Sequence, residues 1–191
     1  MTITSAPTTR RLRADAQRNY DTIVRVASEA FAENGTQTSL DDIACRAGVG
    51  PGTLYRHFPT RDCLLAAALR DSLNELDELS AKLVTAEDTA AALDQWLFQV
   101  ASHLRTFGGL PDSVAQALRD EDSPLCISCA PLRSTTATLL KRAQDAGAAR
   151  ADAQPNDVFS LVASLAWAAD RRRASDDDLK RMLALVTSGL R

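Results

Sequence analysis

Along residues 38–58, TSLDDIACRAGVGPGTLYRHF, apolar positions recur every three or four residues, stop at a glycine, and begin again. Leu40, Ile43, Ala44 and Ala47 share one face of a short helix. Ser39 stands where it can cap that helix, and Asp42, three residues on, completes a capping-box pattern. Gly48 falls where a helix ends in the left-handed conformation, and Val49 is a small apolar plug for a tight turn. Gly50 and Pro51 restart the chain as an N-cap and a first-turn proline, whose missing N–H costs nothing there. The restarted helix puts Leu54 and Phe58 on one face, with Thr53 and His57 as a polar pair on the other. The pattern predicts a helix, a glycine turn and a second helix.

The same helical period runs through the rest of the chain. A first helix is expected from about Asp15 to Asn34, stopping at Gly35. Thr60 should cap a long helix that carries Leu64, Leu65, Leu69, Leu73, Leu76 and Leu83 and ends near Val84. Asp88 should cap a helix through about Phe107, with Leu93, Trp96, Leu97, Val100, Leu104 and Phe107 as its buried stripe and His103 on the border of that stripe. Gly108-Gly109 breaks it, and Pro111 starts a short helix to about Asp120. A break at Asp122-Ser123-Pro124 precedes a helix to about Gly147. Two more helices follow, from about Pro155 to Asp170 and from about Ser175 to Leu190. The first of these is apolar nearly all round and needs cover on more than one side. Strand signals are nearly absent, so the fold class is all-α with about nine helices.

Composition narrows the class further. The 191 residues are 45% hydrophobic but only 5% aromatic, enough for a proper core in one or two small domains. No run reaches the roughly 18 apolar residues of a membrane span, and the N-terminus has no signal-peptide core. With four cysteines and no extracellular context, the thiols are expected to be reduced and the chain cytoplasmic. The formal net charge is −3, yet Arg10, Arg11, Arg13 and Arg18 crowd the N-terminus and Arg46, Arg56 and Arg61 surround the two short helices. Binding to a polyanion depends on the local field at the docking face, so an acidic whole does not exclude it.

The second short helix suits reading from outside. Gly52 lets a backbone approach closely, Thr53 offers a methyl and a hydroxyl, Tyr55 a phenol, and Arg56 and His57 nitrogen donors. These groups suit phosphates and base edges in a DNA major groove. The alternative is a helical hairpin inside a larger bundle, with a solvated polar face. Chemistry elsewhere is thin. The two histidines, His57 and His103, accompany no G-x-S-x-G, P-loop or H-E-x-x-H motif, which argues against an enzyme and against any cofactor. Cys126 and Cys129 form a C-x-x-C pair, read as structural or pocket-lining thiols, a thiol switch, or a metal site that lacks further ligands nearby.

These residues resemble the DNA-binding domain of the TetR family of transcriptional regulators, whose pattern is roughly T-x-x-x-I-A-x-x-A-G-V-S-x-G-T-L-Y-x-H-F. Ile43, Ala44, Ala47, Gly48, Val49, Gly52, Thr53, Leu54, Tyr55, His57 and Phe58 fit it, as do Pro59, Thr60 and Arg61 and, upstream, Ala27, Phe31, Gly35 and Thr38. Gly50 stands where the family usually has serine, a change of only a few tenths of a kcal/mol at an N-cap. Cys45 and Cys63 lie at positions the family leaves variable. The resemblance covers residues 14–75 and implies a DNA-binding domain there, preceded by a basic disordered arm over residues 1–13. Residues 76–191 are then a helical ligand-binding and dimerisation domain. The implied DNA-binding set is Thr38, Ser39, Gly50, Pro51, Gly52, Thr53, Tyr55, Arg56, His57 and Arg61, with Thr38 and Arg61 on flanking phosphates.

The resemblance further implies a homodimer through residues 155–190 and an inverted-repeat, double-stranded DNA operator. A small-molecule effector would release the repressor. Trp96, His103, Phe107, Cys126, Cys129 and Trp167 are the expected walls of its cavity, between the Asp88–Phe107 and Pro124–Gly147 helices. The competing hypothesis replaces the effector by oxidation of Cys126 and Cys129.

Overall fold

A computed structural model describes residues 7–117, 120 and 122–191. Among the described residues there are ten helices and no strand. They are α1 (Pro7–Asn34), α2 (Leu40–Arg46), α3 (Pro51–His57), α4 (Arg61–Leu83), α5 (Thr89–Leu104), α6 (Leu110–Ala117), α7 (Pro124–Ser128), α8 (Ala130–Asp145), α9 (Pro155–Arg171) and α10 (Asp176–Gly189).

Two boundaries depart from the pattern-based expectation. α1 begins at Pro7, so residues 7–13 continue the first helix instead of forming an arm; residues 1–6 of that segment lie outside the described residues. Proline is well placed at a helix start, where its missing N–H is no loss. The segment expected as one helix from Pro124 is two, broken at Cys129, which makes the count ten. Pro131, near the start of α8, cannot supply the N–H that a continuous helix would need. The short helix α6 is described as far as Ala117; residues 118 and 119, inside its expected span to Asp120, lie outside the described residues.

The head is α1–α3 with the first half of α4. Ile23, Ala27 and Phe31 of α1, Ile43 of α2, Leu54 of α3 and Leu64 and Leu65 of α4 are all fully buried there. The body wraps around α5, which packs against α8, α9, α10 and α4. At its centre the Trp96 indole Nε1 donates to Thr136 Oγ1 at 2.9 Å, and that hydroxyl donates to the Leu132 carbonyl at 2.8 Å. No buried polar atom of that pair is left without a partner, as a packed core requires.

Among the described residues, two connections join head and body. α4 runs from one into the other without a linker. The second contact is a backbone joint between the α1–α2 turn and the loop after α5. The Thr36 N–H donates to the Gly108 carbonyl at 2.7 Å, and Phe31 and Phe107 stack beside it with centroids 5.9 Å apart. Gly35 has φ +81° and a Cβ there would sit 2.7 Å from the Gly108 oxygen. The loop is held in turn from the far side: Gly109 N–H donates to Asp170 Oδ2 at 3.1 Å, and Arg105 bonds the Ala174 carbonyl and pairs with Asp176 at 3.5 Å.

Candidate nucleic-acid interface

The geometry of α2 and α3 follows from their caps. Ser39 Oγ accepts from the Asp42 N–H at 3.4 Å and closes the start of α2. Gly48 turns the chain at φ +69°, and the Val49 N–H reaches back to the Ala44 carbonyl at 3.0 Å. Gly50 then serves as N-cap of α3 in extended geometry, with no side chain to bond the open N–H groups. α3 is anchored from below by buried Leu54 and Phe58. Tyr20 of α1 buttresses its end, with its ring 5.0 Å from Phe58 and 6.1 Å from His57. That buttress was not legible in the motif, because Tyr20 lies outside it and only the crossing of α1 over α3 brings the rings together.

Above this anchor the expected reading face is open. Gly50, Pro51, Gly52, Tyr55 and Arg56 are exposed, and Thr53 and His57 are half-buried. Tyr55 keeps 45% of its surface accessible, an unusual state for a large ring on a fixed helix. Arg56 lies back along α3, with Nε donating to the Gly52 carbonyl at 3.0 Å and Nη2 to Thr53 Oγ1 at 3.2 Å. His57 is edge-on to Tyr20, so part of its ring packs inward and does not face outward freely.

Two of the residues expected on phosphates hold the fold together. Arg61 Nη1 donates to the carbonyls of Thr36 and Thr38, both at 2.6 Å, which clamps the α1–α2 turn to the start of α4. Thr38 Oγ1 donates to the Gly35 carbonyl at 2.7 Å inside that same turn. A single guanidinium nitrogen thus serves both turn carbonyls at once. Ser39 remains exposed, although its oxygen is engaged as a cap.

Of the body residues expected around one cavity, His103 and Cys129 line the same small space. Between α5 and α7–α8 the space beside His103 and Cys129 measures about 10 Å³, room for a single water, and is otherwise lined by apolar side chains and Ser128. Trp96, Phe107 and Cys126 are buried in the core and do not line it. Trp167 is 43% exposed on the outer side of α9, where its Nε1 donates to Asp112 Oδ1 at 2.5 Å and Arg171 lies over its ring. Burial lowers the pKa of His103 to about 4, so it is neutral at pH 7. Burial first, then the neighbouring Cys126, pushes the Cys129 thiol up to about 11. Larger spaces lie outside: grooves of about 330, 470 and 550 Å³ run along α9 and α10.

Comparison with known proteins fits these two parts. The model "Bacterial regulatory proteins, tetR family" matches residues 23–68, and "Transcriptional regulator SbtR-like, C-terminal domain" matches residues 88–191, more than half of the chain. The chain belongs to the TetR family. A solved TetR transcriptional regulator from Streptomyces coelicolor, SCO0520, is 32% identical over 90% of this chain and 97% of its own, with a TM-score of 0.58. A TetR regulator structure from Mycobacterium vanbaalenii, also 32% identical, covers 94% of this chain and 99% of its own at a TM-score of 0.53. The transcriptional repressor Rv3405c of Mycobacterium tuberculosis is 38% identical over 74 residues, 38% of this chain and 39% of that protein. The chain thus matches about two-fifths of the length of such curated relatives. In this TetR-family chain no described helix is long and apolar enough to cross a membrane.

Proposed function

We propose that the protein is a transcriptional repressor that binds an inverted-repeat DNA operator as a homodimer, reads bases through α3, and is released by a small molecule. The observation that carries the reading is the contrast within α3. Its inner face is locked by Leu54, Phe58 and Tyr20, while Tyr55, Gly52 and Arg56 stand exposed on a rigid base. A helix held this way presents a fixed pattern of donors at little entropic cost, which is what base readout in a major groove requires.

The dimer is supported by where the remaining apolar surface lies. Of the five large hydrophobic side chains exposed among the described residues, Leu161, Trp167 and Leu185 are on α9 and α10. Gathered on two adjacent helices, they suit an isologous contact between copies. An effector bound beside His103 would have to open that seam, because its space of about 10 Å³ holds no organic molecule. Its binding would then favour an opened body and act on the heads through α4 and the Thr36–Gly108 joint. The thiol alternative gains no support: Cys126 and Cys129 are buried, and a thiol with a pKa near 11 supplies almost no reactive thiolate at pH 7.

Selection of duplexes from a random library tests the DNA reading. An enriched inverted repeat is expected, and Tyr55→Ala should weaken its binding by about 1–3 kcal/mol without loss of helix content. A library that shows no enrichment, or a Tyr55→Ala variant that binds like wild type, would remove α3 as the reader.

A further inference from the structure

The reading head is short of free positive charge. Residues 21–61 hold four arginines against five carboxylates, and the chain has no lysine before Lys82. Arg25 is paired with Glu29 at 2.6 Å and Arg46 with Glu33 at 2.9 Å. Arg61 is committed to the carbonyls of Thr36 and Thr38. Arg56 is the one arginine of that stretch on the reading helix and without a carboxylate partner among the described residues. Duplex binding draws most of its affinity from neutralised phosphates, and one such group per head is few for that task.

The missing charge lies just upstream, on the same rigid body. Residues 7–20 carry Arg10, Arg11, Arg13 and Arg18 against Asp15 alone. Arg18 is paired with Asp15, and with Arg10, Arg11 and Arg13 this is the stretch of the head's sequence richest in positive charge. That segment is helix and not a tether: α1 is continuous from Pro7 to Asn34. Tyr20, within α1, is the residue packed against the end of α3. Position 10 is ten residues before it, about 15 Å along the axis at roughly 1.5 Å per residue, or about four base-pair steps of a duplex.

We propose that residues 7–13 form a second DNA-docking element, a cationic helical extension that binds phosphates beside the half-site read by α3 and sets the salt dependence of binding. It contributes affinity without sequence preference, since phosphates carry no base identity. The inference rests on the DNA-binding reading of α3, and the two are separable by experiment.

Binding of wild type, the triple variant Arg10→Gln/Arg11→Gln/Arg13→Gln and Tyr55→Ala to a selected operator and to an unrelated duplex would be measured by fluorescence anisotropy from about 50 to 300 mM salt, the range over which phosphate neutralisation shows. Glutamine keeps helix propensity, and circular dichroism checks that α1 persists. The triple variant should flatten the slope of log K against log salt by about 0.9 for each phosphate no longer neutralised, and bind both duplexes more weakly by similar factors. The corresponding triple lysine variant should keep the wild-type slope. Tyr55→Ala should show the reverse pattern, losing operator preference with its slope unchanged. Phosphate-ethylation interference needs no folded variant: on wild type it should mark phosphates beyond those next to the α3 bases. An unchanged slope in the glutamine variant, or no such outlying phosphates, overturns the extension while leaving α3 intact. A wild type that binds no DNA overturns both.

Discussion

Gly52 is the residue whose identity the monomer alone does not explain. It lies in the first turn of α3 with no unusual φ, and a Cβ there would meet nothing within 4 Å. Glycine in a helix costs about 0.5–1 kcal/mol relative to alanine, and the proposed DNA reading supplies an external reason for it, close approach of a DNA backbone. Gly52→Ala should therefore raise unfolding free energy by up to about 1 kcal/mol in urea titrations while weakening operator binding. A more stable variant with unchanged affinity would take Gly52 out of the interface. His103 supplies a second residue-level test. Its folded pKa of about 4 lies below its ordinary 6.5, so the unfolded chain takes up a proton first as pH falls. Its contribution is fully present above about pH 6.5 and is lost on the way down to about pH 4, at most about 3 kcal/mol in all. Between about pH 6 and 5, wild type should lose roughly 1 kcal/mol more stability than His103→Asn. Parallel losses in both proteins would mean that the histidine is not kept neutral by the fold.

At the scale of elements, the backbone joint between head and body is the sharpest feature. Gly35 and Gly48 both have positive φ, +81° and +69°, and both should cost about 1–2 kcal/mol when replaced by alanine. Only Gly35 faces backbone, with the Gly108 oxygen 2.7 Å from the added carbon, whereas Gly48 has open space. Gly35→Ala should thus be clearly more destabilising than Gly48→Ala in matched urea titrations, and equal losses would mean that the joint yields. Elements of this kind divide what the sequence announces from what it hides. Caps are local, and Ser39, Thr60, Asp88 and Ser175 each bond the backbone N–H three residues on, as their spacing foretold. The face of α3 was legible for the same reason. The role of Arg61 was not, because its acceptors lie 23 and 25 residues away and become neighbours only once the turn is folded. Trp96 and Trp167 read alike as aromatic bulk, yet one ends bonded to Thr136 in the core and the other beside Asp112 at the surface. Periodicity gives a helix its apolar stripe, but which neighbour covers the stripe is decided by tertiary packing. The break at Cys129 did carry a local signal, Pro131, which a continuous apolar pattern from Pro124 to Gly147 outweighs on inspection.

For the whole molecule, the proposed function would depend on the distance between two reading helices. A two-fold dimer on an inverted repeat must place them about 34–36 Å apart, one turn of DNA. That spacing would be set by the α9–α10 contact between copies and relayed to each head by the continuous helix α4 and the Gly108–Thr36 joint. Leu185 is the best probe of the contact, since it is 79% exposed on α10 and contributes little to the monomer's own core. Leu185→Asp should leave thermal stability of the monomer nearly unchanged while placing an unpaired charge in the interface, where desolvation strongly opposes it. Sedimentation should then report a monomer at micromolar concentration where wild type is dimeric. Affinity for the full inverted repeat should fall sharply, and affinity for an isolated half-site should stay the same, because α3 and its anchor are untouched. A Leu185→Asp protein that remains dimeric would move the interface off this face of α10. One that is monomeric yet binds the full repeat like wild type would show that the two heads do not act as a pair.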